Sequence, residues 1–192
     1  MTPLDDIVTS RLVLRLMDNE IIAACLAGDL ATAERLLGVT IPCELLDHPS
    51  SLRYGQQQLK ADSEYLPWSA RAIILPDERL MIGLVRFHSR PDPVYLHPYT
   101  RGAVEFGYRI FSDYRSRGYA TEAVTAVMNW AQSEFGVSSF VVSISPENEF
   151  SLRLIAKIGF IKVGEVMDDT DGLEYVFLKI LPVNRNWAIF PS

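Results

Sequence analysis

Ile110-Phe-Ser-Asp-Tyr-Arg-Ser-Arg-Gly-Tyr-Ala-Thr-Glu122 joins a strand to a helix through a basic, glycine-containing turn. Before it, Val104, Phe106, Tyr108 and Ile110 alternate with Glu105, Gly107 and Arg109, the period of a half-buried strand. After it, Ala120, Ala123, Val124, Val127, Ala131 and Phe135 recur at offsets of three and four, which marks one apolar stripe of a helix. The first N–H groups of such a helix have no internal acceptor, and with the helix dipole they form a socket for phosphate or pyrophosphate. Gly118 permits backbone angles that a side chain opposes, and small Ala120 leaves the helix start uncrowded. The turn predicts a phosphate-bearing ligand; the bland alternative is an ordinary strand–helix turn with solvated arginines. Neither a P-loop (GxxxxGK followed by Ser or Thr) nor a GxGxxG dinucleotide fingerprint occurs.

Working outward, Leu12, Leu14 and Leu16 alternate with polar or smaller residues and predict a strand over Arg11–Met17. Residues 20–60 read as helical in pieces, broken at Gly38–Pro42 and at Asp47–Ser51. Ala70–Leu75 and Met81–His88 form a predicted hairpin around Pro76–Arg79. Residues 89–102 hold three prolines and no period, either a functional loop or a surface insertion. Downstream, Ser139–Ser145 reads as a strand and Asn148–Ile158 as an amphipathic helix ended by Gly159. Phe160–Val166 and Tyr175–Ile180 read as strands flanking an Asp-rich turn, Asp168–Gly172. The order β, helices, β, β, β, α, β, α, β, β predicts an α/β (α+β) chain with a mixed sheet and helices on its faces. No linker divides the 192 residues, which predicts a single domain over 1–192.

Composition narrows the function classes. Hydrophobic residues make up 48% and charged residues 22%, ordinary globular usage, and the net charge is −6. An acidic chain lacks the clustered Lys and Arg that nucleic acid requires. His48, His88 and His97 are scattered, and neither Cys25 nor Cys43 sits in a metal-ligand pattern, so no metal site is expected. Two cysteines suit a reducing cytoplasm. No signal-peptide pattern and no membrane-length apolar run is apparent, so no membrane partner is expected.

A second segment adds to the first. Ser145-Pro-Glu-Asn-Glu-Phe-Ser-Leu-Arg-Leu-Ile-Ala-Lys-Ile-Gly-Phe160 follows a strand and opens a helix with Asn148 and Ser151 three apart. Either residue alone reads as a helix cap. Taken in order, R-x-x-G-x-A (Arg115, Gly118, Ala120) and N-x-x-S…K-x-G-F (Asn148, Ser151, Lys157, Gly159, Phe160) resemble the GNAT superfamily of N-acetyltransferases. Val104-Glu-Phe-Gly-Tyr108 and Thr9-Ser-Arg-Leu-Val-Leu-Arg15 resemble its RimJ/RimL-like branch. The resemblance covers about residues 9–181; residues 41–69, 89–102 and the tail 182–192 match poorly.

The resemblance implies a GNAT-like fold with a mixed, mostly antiparallel sheet of six to seven strands and helices on both faces. It implies acetyl-CoA as co-substrate, with Arg115, Ser116, Arg117, Gly118, Tyr119, Ala120 and Thr121 cradling the pyrophosphate. Ile110 would then lie beside the pantetheine, and Asn148 would contact it. Ser116 stands where the family more often has glycine, which bears on the turn's geometry.

Direct transfer to an amine needs a base, donors for the thioester oxygen and a proton for the leaving thiolate. Glu105, opposite the apolar face of its strand, is the candidate base; the alternative is a solvated or salt-bridged carboxylate, with Arg109 as one partner. Many family members carry a tyrosine seven residues after the motif asparagine, where this chain has Ile155. In the RimJ/RimL-like branch that role points to Ser151, with a cap or a bound water as alternatives. The acceptor stays open between a protein N-terminal α-amine of ribosomal-protein type and a small amine such as a polyamine or aminoglycoside. A non-catalytic acyl-CoA-binding module on the same fold is the remaining alternative. A homodimer is in keeping with this branch. Tyr54, Tyr65, Tyr95 and Tyr99 could line the acceptor site or be core, and Trp68 is expected in the core.

Overall fold

Alternation along the strand before the basic turn decides which side of the sheet each residue serves, and the computed structural model, which describes residues 2–168 and 172–182, places those sides. The elements run β1 (Ile7–Val8), β2 (Val13–Leu16), α1 (Asn19–Leu26), α2 (Leu30–Leu37), α3 (Ser50–Ala61), β3 (Arg71–Leu75), β4 (Leu80–Phe87) and β5 (Ala103–Ile110). There follow α4 (Tyr119–Phe135), β6 (Ser139–Ile144), α5 (Glu149–Lys157), β7 (Ile161–Asp168) and β8 (Gly172–Ile180). Short 3-10 turns at Cys43–Asp47, Ser63–Trp68, Val94–Leu96 and Ser112–Tyr114 fill several connections. The expected Asp-rich turn lies partly, and the tail beyond Pro182 wholly, outside the described residues.

One sheet runs β1-β2-β3-β4-β5-β6-β8-β7. It has eight strands, against the six to seven expected; the added strand is β1, two residues pairing with Val13 and Leu14. All neighbours are antiparallel except β5 and β6. A parallel pair needs a crossover, and α4 supplies it.

The predicted stripe of α4 (Ala123, Val124, Val127 and Ala131) is buried against Val104, Phe106 and Ile110 of β5. Trp68 is 2% exposed and stacks edge-on to Phe87 and Trp130 in that same cluster, a core residue as expected. The opposite face of β3 and β4 (Ala72, Ile74, Met81, Leu84) is covered by Ile22, Cys25, Ala33 and Leu37 of α1 and α2. Helices thus lie on both faces.

The feature that positions the site is where β5 and β6 part. They pair only at Ala103–Ser139, Val104–Phe140 and Glu105–Val141. On its other edge β5 stays paired with β4 as far as Ile110. His88 N–H donates to Glu105 O and Phe111 N–H to Ile82 O, so odd-numbered β5 residues direct their peptide groups to β4. Even-numbered ones point the other way, and the Tyr108 peptide group faces an opening gap instead of a strand. The outcome is a wedge whose apex is at Glu105 and whose mouth is at Ile110.

Candidate active site

At the mouth of the wedge, α4 begins at Gly118 (φ +82°) with no side-chain cap. By contrast Asp18, Asp29 and Asn148 cap α1, α2 and α5. The unpaired N–H groups of the first turn of α4 therefore face what lies in front of them. That is a cavity of about 340 Å³, walled by Arg115, Ser116, Gly118, Tyr119, Ala120 and Thr121 from the turn and helix. Ile110 completes the wall from β5, and Asn148 and Ser151 from the start of α5. Arg117 is not part of this wall: its carbonyl accepts from Arg11 Nη1 at 3.1 Å, and its guanidinium lies 5.6 Å from the Tyr114 ring centre. Ser116 takes φ +61°, so a serine holds the left-handed conformation that glycine would adopt more readily.

Sequence reading missed the brace behind this turn. The Arg11 guanidinium sits 4.7 Å from the Tyr119 ring centre, and Nη2 pairs with Glu122 at 2.6 Å. Glu122 also accepts from the Thr9 hydroxyl (2.6 Å), the Ser10 hydroxyl (3.1 Å) and Arg11 N–H (3.0 Å). Burial raises the Glu122 pKa, but these donors outweigh it and hold the carboxyl below the usual range. The segment before β2 is thereby tied to the first turn of α4. Arg115 is steered from the other side, with Nε donating to Ile110 O at 3.0 Å and Nη2 3.9 Å from Glu44.

On the α5 side, Asn148 Oδ1 accepts the Ser151 N–H at 3.1 Å, so Asn148 is a helix cap while it also lines the cavity. The Tyr108 hydroxyl is buried, approaches Ser151, and forms no well-aligned hydrogen bond among the described residues. Burial pushes the Tyr108 pKa up. Ile155 is fully buried in the core and does not reach the cavity.

Glu105 lies at the apex of the wedge, on the face away from α4, and is 6% exposed. Its Oε1 accepts from Ser143 Oγ at 2.6 Å, and its Oε2 is 3.4 Å from His88 Nδ1. The Tyr95 hydroxyl approaches the same carboxylate. Burial raises the Glu105 pKa, but hydrogen bonds from His88, Ser143 and Tyr95 outweigh it, so the carboxyl lies below its ordinary value. Arg109, the partner considered from sequence, pairs instead with Glu44 at 3.2 Å. Glu105 and Ser151 are not in contact: they flank the gap from opposite sides. Glu105 can hold a positive charge near the apex, and the cavity can hold an anion at the mouth.

The sequence model of the acetyltransferase (GNAT) domain matches residues 11–161. The chain belongs to the GNAT acetyltransferase family. It is 30% identical to the uncharacterized N-acetyltransferase YoaA of Bacillus subtilis (strain 168), over 81% of this chain and 82% of that protein. Its fold is similar to the ribosomal-protein-S5-alanine acetyltransferase of Vibrio fischeri, with TM-score 0.63 and 18% identity over 96% and 100% of the chains. It is equally similar (TM-score 0.63, 15% identity, 92% and 98% of the chains) to the ribosomal L7/L12 alpha-N-protein acetyltransferase RimL in complex with coenzyme A. This GNAT member is an acetyl-CoA-dependent N-acetyltransferase, and acetyl-CoA is its co-substrate. Among the described residues no His, Cys, Asp or Glu cluster could hold a metal ion, and no helix is long and apolar enough to cross a membrane.

Proposed function

We propose that this GNAT enzyme acetylates a protein N-terminal α-amine, with acetyl-CoA threaded through the wedge between β5 and β6. The observation that carries the reading is the two-sided site: an uncapped helix start with basic residues at the mouth, and a buried carboxylate at the apex on the opposite face. Arg115, Ser116, Gly118, Tyr119, Ala120 and Thr121 would make up the pyrophosphate cradle, while Arg117, expected there from the sequence, lies outside the cavity wall. Ile110 and Asn148 would flank the pantetheine arm. The Tyr108 N–H, turned to the gap, is a donor for that arm or for the thioester oxygen.

The acceptor enters from the face where Tyr54 and Tyr95 stand 37% and 48% exposed near the apex. An α-amine fits this site better than a lysine side chain, because its pKa is near 8 and not about 10.4, so less driving force is needed to make it neutral. The Glu105 carboxylate supplies negative charge for the proton-removing side. Holding both substrates in one geometry supplies much of the acceleration, so no covalent acetyl-enzyme is required. As the N–C bond forms and the C–S bond breaks, the leaving thiolate takes a proton from the Ser151 hydroxyl, which solvent then replaces. Two free thiols, Cys25 buried and Cys43 exposed, suit work in a reducing cytoplasm.

The test is thiol release from acetyl-CoA with a panel of peptides with free N-termini, the same peptides with blocked N-termini and a free lysine, spermidine and an aminoglycoside. Acetylation at the α-amine, located by mass spectrometry, is the expected outcome. Turnover of spermidine or the aminoglycoside with inert peptides would replace the acceptor class.

A further inference from the structure

We infer that the atom accepting the amine proton is His88 Nε2, with Glu105 as the positioning carboxylate behind it; this deepens the acetyl-transfer reading and rests on it.

Glu105 is poorly placed to be the base itself. It is buried, two hydroxyls and an imidazole surround its oxygens, and those donors stabilise the ionised form. Each hydrogen bond that stabilises the carboxylate weakens it as a proton acceptor. A group in that condition stays ionised and orients its neighbour. Its neighbour is His88, the residue just past β4, whose side chain keeps 30% of its surface exposed.

The register brings them together. His88 N–H donates to Glu105 O across the β4–β5 ladder, and one step along that ladder Arg86 pairs with Gly107. The imidazole then lies across Gly107, where a Cβ would come within 3.1 Å of Nε2. Gly107 leaves room for the ring where any other residue would push against it. With Nδ1 turned to Glu105, the bound proton belongs on Nδ1, and Nε2 presents its lone pair over Gly107. That position is just past the last paired residues of β5 and β6, where the wedge opens.

Glu105 from β5 and Tyr54 from α3 (ring centres 6.3 Å apart) face the imidazole, and the Arg86 guanidinium from β4 stacks on that Tyr54 ring at 4.6 Å. Tyr95, from the 3-10 turn after the proline-rich loop, reaches the carboxylate from the other side. In the step, the amine nitrogen attacks the thioester carbonyl carbon and passes its proton to Nε2. The C–S bond breaks with its electron pair on sulfur, and the imidazolium later releases its proton to solvent.

The test uses wild type, His88→Gln, His88→Ala and Glu105→Gln. In the first measurement, nitrogen NMR of the labelled imidazole at neutral pH, with no acceptor present, is expected to show the proton on Nδ1 in wild type and a shifted tautomer balance in Glu105→Gln. In the second, with an amine that wild type acetylates, His88→Gln is expected to lower kcat by about 10²–10⁴-fold. The acetyl-CoA-induced rise in Tm should be unchanged. Added imidazole should restore part of the rate of His88→Ala but not of Glu105→Gln.

A proton on Nε2 in wild type overturns the proposal whatever the acceptor. So does His88→Gln turning over at the wild-type rate with no rescue of His88→Ala by imidazole. Wild type that binds acetyl-CoA yet acetylates no amine, while the NMR shows the Nδ1 tautomer, overturns the acceptor class and leaves the pair of residues standing.

Discussion

Glu122 holds four donors from residues 9–11 at the first turn of α4, and its protonation state governs how firmly the start of β2 is fastened to the turn before α4. Its pKa is lowered in the folded chain, so its contribution is full above the ordinary glutamate value of 4.5 and is lost as pH falls through the lower, folded one. Glu122→Gln is expected to cost about 1 kcal/mol at neutral pH. The difference in Tm from wild type should shrink on acidification and close at low pH; a constant offset down to pH ~3 would show that charge plays no part. The residues of this brace illustrate what a sequence hides. Thr9-Ser-Arg11 is visible only as the lead-in to a strand, because its partner is Glu122, more than a hundred positions away. His88 is hidden for a similar reason. Its partner Glu105 is brought beside it by ladder register, and ligand-spacing patterns search for neighbours in sequence.

Between elements, the β4–β5 ladder carries both halves of the site, and Gly83 fixes how closely the two strands meet. It pairs with Ile110, and a Cβ there would lie 2.2 Å from the Arg109 carbonyl oxygen, a backbone atom with no flexible end to move. Gly83→Ala is expected to destabilise the chain by about 1–3 kcal/mol in urea denaturation. It should also weaken acetyl-CoA binding, because Ile110 is displaced. An alanine variant as stable as wild type would mean that the strands separate freely there. At this scale most of the fold was legible. Strict alternation in β5 and the three-and-four spacing in α4 mark faces that the core then buries. The strand β1 was not, since two residues carry no period. The turn itself was legible because Gly118 and the helix start that follows it are local. The wedge was not, because it depends on where two strands stop pairing.

Across the whole molecule, acetyl-CoA bound in that wedge, as proposed, would couple ligand to fold. Acetyl-CoA at a hundred times its Kd is expected to stabilise the chain by about 2.7 kcal/mol, a rise in Tm of roughly 5–11 °C for a domain of this size. Differential scanning fluorimetry with ATP and NAD as controls checks this. Equal shifts with ATP would show a general phosphate site in place of a coenzyme A channel. The three rungs from Ala103 to Glu105 are the only strand pairing between the five-strand and three-strand halves of the sheet among the described residues. With acetyl-CoA in the gap, as proposed, the co-substrate would bridge those halves in the manner of a temporary extra strand. On that proposal, each turnover would splice and unsplice the enzyme's own sheet. The pace of product departure would then depend on how readily the two halves, joined in the sheet by three rungs, breathe apart.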